Sequence, residues 1–181
     1  MPTARSGGLI RAMTDSVLVT YGTTHGSTGE VAAAIAETLR EHGLDVDLTP
    51  AADVVDVAAY DGVVIGGALY FGRLHPEVRK LLTRSRRALA QLPVAVFAMG
   101  PSTLKPKDVE GSRDQLNHWL AKVPEVTPFA IAIFGGVLDP TQVSFPFNRM
   151  PASDARDWDD IRDWADEIAG VLAPTDALIA V

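Results

Sequence analysis

Five short apolar runs alternate with longer stretches of helical pattern along this chain. The runs cover residues 16–21, 44–49, 62–67, 93–99 and 129–134, and each is rich in Val, Ile or Phe. Several are apolar at both odd and even positions, as a strand covered on both faces of a parallel sheet requires. The segments between and after them predict helices over 28–42, 75–90, 111–123 and 157–172. In the first of these, Val31, Ile35 and Leu39 form one stripe, while Glu30, Glu37 and Arg40 fall on the other side. Gly43 follows where a left-handed cap is wanted. The last helix gathers Trp158, Ile161, Trp164, Ala165 and Ile168 on one face, opposite Asp160, Asp163, Asp166 and Glu167. Such alternation implies right-handed crossovers and helices on both faces of the sheet. The expected fold is a three-layer α/β sandwich around a five-stranded parallel sheet in the order 2-1-3-4-5.

One segment breaks the pattern. Residues 138–155 contain Pro140, Pro146 and Pro151 among Phe145, Phe147 and Met150, with no helical period. Loops of this length inside a compact domain are often functional. No internal repeat, low-complexity tract or linker divides the chain, so its 181 residues read as one domain over 15–173. Residues 1–14 and 174–181 read as tails. Arg5 and Arg11 lie in the first of these without the apolar stretch of a secretory signal, and Met13 offers a second start. No run approaches the roughly 18 apolar residues of a membrane span.

Composition narrows the chemistry. The chain has no cysteine, which removes disulfides, thiolate nucleophiles, zinc–thiolate and iron–sulfur sites. It also excludes phosphatases that place a catalytic cysteine in a phosphate loop on a similar sheet. The expected compartment is the cytoplasm. With 23 acidic against 16 basic residues and a formal net charge of -7, nothing favours a broad nucleic-acid interface. Such a surface suits basic patches on redox partners, and equally serves solubility. The basic residues that do cluster, Arg79, Lys80, Arg84, Arg86 and Arg87, read as one solvated helix face.

In an open α/β sheet, ligands bind beyond the carboxyl ends of the strands, where the strand order reverses. The first loop there is Tyr21-Gly22-Thr23-Thr24-His25-Gly26-Ser27-Thr28-Gly29. Hydroxyls at Thr23, Thr24, Ser27 and Thr28, the Gly26 backbone and a helix N-terminus make a site for a dianionic phosphate. A plain Ser/Thr-capped turn would use the same residue types. The loop lacks the lysine of a Walker motif, and its glycines are not spaced as G-x-G-x-x-G. Tyr21-Gly22 and Gly66-Gly67 stand where a receiver domain would need aspartates.

The loop after the third strand, Gly67-Ala68-Leu69-Tyr70-Phe71-Gly72-Arg73-Leu74-His75, sets two aromatics between glycines. They suit a wall against a flat heteroaromatic ligand, although core packing would also explain them. After the fourth strand, Gly100-Pro101-Ser102-Thr103 offers close backbone approach and two hydroxyls.

The run Thr23-Thr24-His25-Gly26-Ser27-Thr28 resembles the FMN-phosphate loop of the flavodoxin superfamily. The run Val63-Val64-Ile65-Gly66-Gly67-Ala68-Leu69-Tyr70-Phe71-Gly72-Arg73-Leu74-His75 is similar to one branch, the menaquinone-dependent protoporphyrinogen IX dehydrogenases. The resemblance extends from about Ser16 to Gly170 and includes Gly135-Gly136. It implies a flavodoxin-like fold and FMN, with phosphate on Thr23, Thr24, His25, Gly26, Ser27 and Thr28. The ring would lie between Ala68, Leu69, Tyr70, Phe71 and Gly72 on one side and Gly100, Pro101 and Ser102 on the other. The branch moves electrons from a reduced substrate to a quinone; the alternative is a carrier shuttling electrons between protein partners. Two departures stand out. His25 occupies a position usually held by a hydroxyl residue. The segment after the fifth strand is short, with only Arg149 against Asp139 and Asp154, so membrane contact is at most peripheral. His75 and Arg73 fall near the expected flavin edge; His75 is the candidate proton donor, or simply the residue that starts a helix before Pro76.

Overall fold

The computed structural model describes residues 15–173; the tails expected at 1–14 and 174–181 lie outside the described residues. The chain begins with β1 (Ser16–Gly22), α1 (Ser27–Glu41) and β2 (Asp45–Pro50). It continues through two short 3-10 turns into β3 (Gly62–Tyr70), β4 (Arg73–Leu74) and α2 (Pro76–Leu89). Then come β5 (Val94–Met99), α3 (Pro106–Leu120), β6 (Ala130–Phe134) and β7 (Val137–Leu138). A 3-10 turn at Phe147–Arg149 precedes β8 (Ser153–Asp154) and α4 (Trp158–Leu172).

The main sheet runs β2-β1-β3-β5-β6, with every neighbouring pair parallel. Counted over these five strands, this is the expected 2-1-3-4-5 order. Only the two-residue β4, which folds back antiparallel on the end of β3, shifts the numbering.

Two apolar clusters lie on opposite faces of the sheet. One joins Val17, Val19, Val64 and Phe97 to Val31, Ile35 and Leu39 of α1 and to Ile161, Ala165 and Ile168 of α4. The other joins Leu18, Val63, Ile65 and Val96 to Val78, Leu81 and Leu89 of α2 and to Leu116 of α3. Burial of this apolar surface at about 25 cal/mol per Å² is the main favourable term for such a sandwich. Phe97 packs against Phe134 and Trp164, with ring centroids 5.8 and 6.1 Å away. A side chain at Gly66 could not coexist with that cluster, because its Cβ would lie 2.0 Å from the Phe97 ring.

Four expectations need correction. β3 runs on to Tyr70, so Ala68, Leu69 and Tyr70 are strand and not loop; pairing with β4 carries the ladder past the two glycines. α3 starts at Pro106 and ends at Leu120, not at 111–123, because Pro106 takes the first helical position where its missing N–H is harmless. Residues 138–155 are not structureless: Leu138 pairs with Ser153 and Val137 with Asp154, which closes the segment into a strap pinned at its base. The basic residues of α2 are not simply a solvated face. Arg84 donates to the carbonyls of Ala51 and Val54, Arg86 pairs with Glu125, and Arg79 lies over the Trp119 ring.

Candidate functional site

The carboxyl ends of β1, β3, β5 and β6 converge on a cavity of about 680 Å³. That size and a mostly apolar lining are those of a cofactor pocket. The loop after β1 contributes His25 and Ser27, and the end of β3 contributes Ala68, Leu69, Tyr70 and Phe71. Gly100 and Ser102 come from the loop after β5. Among the other positions expected from the sequence, Thr23, Thr24, Gly26, Thr28, Gly72 and Pro101 do not line the cavity itself. Thr28 is fully buried, and Thr23, Thr24 and Gly26 form the turn that leads into α1.

That turn ends in an open helix N-terminus. Gly26 is the N-cap residue with φ 92°, and no side chain caps the helix. The first intrahelical bond is Glu30 N–H to the Gly26 carbonyl, which leaves the N–H groups of the first turn free of helix partners. Thr23 Oγ1 accepts the Gly26 N–H at 2.8 Å and fixes the turn. The Thr28 hydroxyl is buried with no hydrogen-bond partner. A buried unpaired hydroxyl costs about 1–3 kcal/mol, and here it lies at the start of a helix whose first-turn N–H groups have no side-chain cap. A phosphate fits that donor set; the helix dipole adds to it.

The wall of the cavity is a tight hairpin. Leu69 pairs with Leu74 and Tyr70 with Arg73, so Phe71 and Gly72 alone make the turn. Both have positive φ, 49° and 73°, as a two-residue hairpin turn of this kind demands. For Phe71 that conformation costs about 1–2 kcal/mol. Its ring is 78% exposed on the hairpin tip and meets Phe147 of the strap edge-on at 4.9 Å between centroids. The Tyr70 phenol sits edge-on to His25 at 6.2 Å between ring centroids, and partial burial raises its pKa.

Sequence reasoning singled out the segment 138–155 but not its role. The structure brings Gln142, Val143, Ser144, Phe145, Phe147 and Met150 to the cavity, where Phe147 meets the hairpin tip. The base of the strap is tied down by Arg156, which donates to both Asp154 oxygens (2.9 and 2.7 Å) and also bonds Glu30 of α1. These bonds hold the Asp154 carboxyl below its ordinary range. Arg156 also borders a side chamber of about 170 Å³ with His25, Ser27 and Tyr70. Its charge is already paired with Asp154 and Glu30, and nothing local in the sequence points to its place here. Gly136 N–H donates to the Pro101 carbonyl at 2.8 Å, locking the loop after β5 to the start of the strap.

His75 is the N-cap of α2. Its Nδ1 accepts the Glu77 N–H at 3.3 Å, and a Cβ on Gly22 would lie 2.5 Å from that nitrogen. It does not line the cavity, and burial lowers its pKa. Among the described residues, no His/Asp/Glu group is arranged to hold a metal, and no helix is long and apolar enough to cross a membrane.

An open helix start next to a flat, aromatic-walled cavity therefore fits a ligand carrying both a phosphate and a planar ring. Comparison with known proteins gives the same answer. The flavodoxin domain model matches residues 18–150. Protoporphyrinogen IX dehydrogenase (quinone) of Escherichia coli K12 is 26% identical over 126 residues, covering 67% of this chain and 68% of that protein. Among solved structures, a mutant of the Pseudomonas aeruginosa flavodoxin superposes with a TM-score of 0.56 at 18% identity, covering 87% of this chain and 98% of that one. Oxidised flavodoxin 1 of Bacillus cereus gives 0.56 at 17% identity, covering 87% and 99%. Rubredoxin oxygen:oxidoreductase of Desulfovibrio gigas gives 0.57 at 15%, covering 87% of this chain and 36% of that one. At these identities the structural likeness speaks to the fold, while the family model covers most of the chain. The chain belongs to the flavodoxin-domain family of electron-transfer flavoproteins, whose cofactor is FMN.

Proposed function

We propose that this chain is an FMN-dependent oxidoreductase resembling the quinone-dependent protoporphyrinogen dehydrogenases, passing electrons from a reduced substrate to a quinone or similar acceptor. The observation that carries this reading is the shape of the cavity mouth. Tyr70 and Phe71 of the hairpin and Val143, Phe145 and Met150 of the strap give the pocket an apolar, partly exposed rim. An apolar, planar co-substrate finds contact area there that a hydrophilic partner would not use.

In this reading the phosphate rests on the first-turn N–H groups of α1, with the hydroxyls of Thr24, Ser27 and Thr28 and the His25 ring beside it. Thr23 and Gly26 shape the turn. The ring lies between the Ala68–Gly72 hairpin arm and Gly100, Pro101 and Ser102. FMN supplies reversible one- and two-electron chemistry there, and the protein's part is to bind it, exclude water and tune access. The strap residues Phe147 and Met150 cover the ring site, and Arg156 holds the strap in place. His75 serves α2 as a cap and stands outside the cavity, so this reading gives it no part in proton transfer. The runner-up is an electron carrier between protein partners, favoured by the net charge of -7.

The test begins with an absorbance spectrum before and after incubation with FMN and desalting. Flavin bands at one FMN per chain are the expected result. Anaerobic protoporphyrinogen should then bleach the bound flavin, and a quinone should restore the colour. A flavin that ignores both compounds but exchanges electrons with a protein partner selects the carrier. A protein that stays colourless removes the cofactor reading altogether.

A further inference from the structure

The hairpin that walls the cavity turns on one residue built for positive φ and one that is not. Gly72 adopts φ 73° freely, whereas Phe71 at φ 49° does not. Strain of this kind persists only where the surroundings over-determine it. Two groups from outside the hairpin grip its tip. Phe147 of the strap packs edge-on against the Phe71 ring. From the other side, the Trp119 indole Nε1–H of α3 donates to the Gly72 carbonyl at 2.9 Å, across 47 residues of sequence. That bond is partly buried, where water competes poorly.

Trp119 is itself held. Lys122 Nζ lies 3.7 Å and the Arg79 guanidinium 4.8 Å from the centre of its ring, cation–π contacts that fix the plane of the indole. The ring forms part of a groove of about 600 Å³ between α2 and α3, bordered by Arg79, Lys80, Arg86 and Lys122, and does not line the cofactor cavity.

We infer that Trp119 is a positioning residue for the cofactor site: its N–H fixes the Gly72 carbonyl and so sets the pose of Tyr70 and Phe71 against the bound ring. The effect on the ring rests on the FMN reading above; the clamp on the hairpin belongs to the protein with or without cofactor. Trp119 acts through the hairpin and touches no reacting atom.

The deciding variant is Trp119→Phe, which keeps an aromatic ring under Arg79 and Lys122 and removes only the donor. Lys122→Met is the control, removing a cation from the same ring while keeping the N–H. In the FMN-free protein, amide hydrogen exchange at residues 71–74 should quicken at least tenfold in Trp119→Phe and stay within twofold in Lys122→Met. Trp119→His, which restores a ring N–H, should recover part of the protection; it also serves if the Phe variant does not melt cooperatively. In the loaded protein, Trp119→Phe should raise the FMN dissociation constant five- to tenfold and shift the flavin midpoint potentials. Unchanged exchange overturns the clamp. Faster exchange with unchanged affinity and potentials overturns the positioning role. A wild-type protein that takes up no FMN refutes the proposed function instead, and the exchange measurement still decides the clamp.

Discussion

The N-termini of α1 and α4 make an instructive pair. Both helices have 15 residues, and both pack on the same face of the sheet. Arg156, next to the start of α4, reaches across to Glu30 in the first turn of α1. α4 closes its own N-terminus: the Asp157 carboxylate accepts the N–H groups of Asp159 and Asp160, both at 3.1 Å, and acidic side chains fill its first turn. α1 starts from Gly26 with no side-chain cap and buries an unpartnered Thr28 hydroxyl. A capping side chain is worth about 1 kcal/mol, so leaving α1 open costs stability in the empty protein. The difference separates a helix end closed by its own side chain from one left open, as the proposed phosphate site requires.

The largest effect should come from removing the hydroxyls around the open end. Thr24→Ala with Thr28→Ala should weaken FMN binding by about 3–6 kcal/mol, because charge-assisted hydrogen bonds are worth roughly 1.5–3 kcal/mol each. Flavin fluorescence titration reads that loss. In urea the FMN-free pair should be no less stable than the wild type, because removing the unpaired Thr28 hydroxyl relieves a cost of about 1–3 kcal/mol that offsets the loss of its buried methyl. Equal affinity in the double variant would remove the phosphate from this loop.

A smaller effect is expected from making α1 resemble α4. Ser27→Asp puts a carboxylate at the first helical position, where the dipole favours it by about 0.3–1 kcal/mol. Urea unfolding of the empty protein should show that gain. The new charge repels the phosphate, and FMN affinity should fall by about 1.4–2.8 kcal/mol, tenfold to a hundredfold. The reciprocal change, Asp157→Ala, should cost about 1 kcal/mol of stability and leave FMN affinity within twofold. Should Asp157→Ala weaken FMN as strongly as Ser27→Asp does, the two helix ends are not functionally distinct.

How much of this could be read beforehand follows the range of the interactions. The stripe Val31, Ile35, Leu39 and the doubly apolar strands announce themselves through local periodicity, and the structure buries them as expected. The hydroxyl loop stood out because its features lie in six adjacent residues, and the structure sets them at the uncapped start of α1. The strap was visible only as an irregularity. Its place over the cavity depends on Leu138 meeting Ser153 and on Arg156 reaching Glu30, 126 residues away. Trp119 carries no signal, because an indole in a helical stripe looks like core until Gly72 arrives beside it. The basic run on α2 misled for the same reason: Arg84 and Arg86 find their partners on other elements.

The smallest effect tests a third kind of helix start. α2 is capped by a titratable side chain: His75 Nδ1 accepts the Glu77 N–H, which only an unprotonated Nδ1 can do. Burial lowers the His75 pKa first, Arg79 lowers it further, and Glu77 works against both. A histidine released by unfolding titrates near its ordinary value of about 6.5, so between the two values the unfolded chain binds more protons than the native one. Stability contributed by this cap is therefore present above about pH 6.5 and declines as the pH falls toward the depressed native value. His75→Asn keeps an N-cap acceptor and cannot titrate. Urea unfolding from pH 7.5 to 5.5 should show the wild type losing stability relative to His75→Asn as the medium acidifies, with FMN affinity at pH 7.5 unaltered by the substitution. A constant difference between the two proteins across that range would mean that the imidazole does not cap α2, and lost flavin affinity at pH 7.5 would return His75 to the cofactor site.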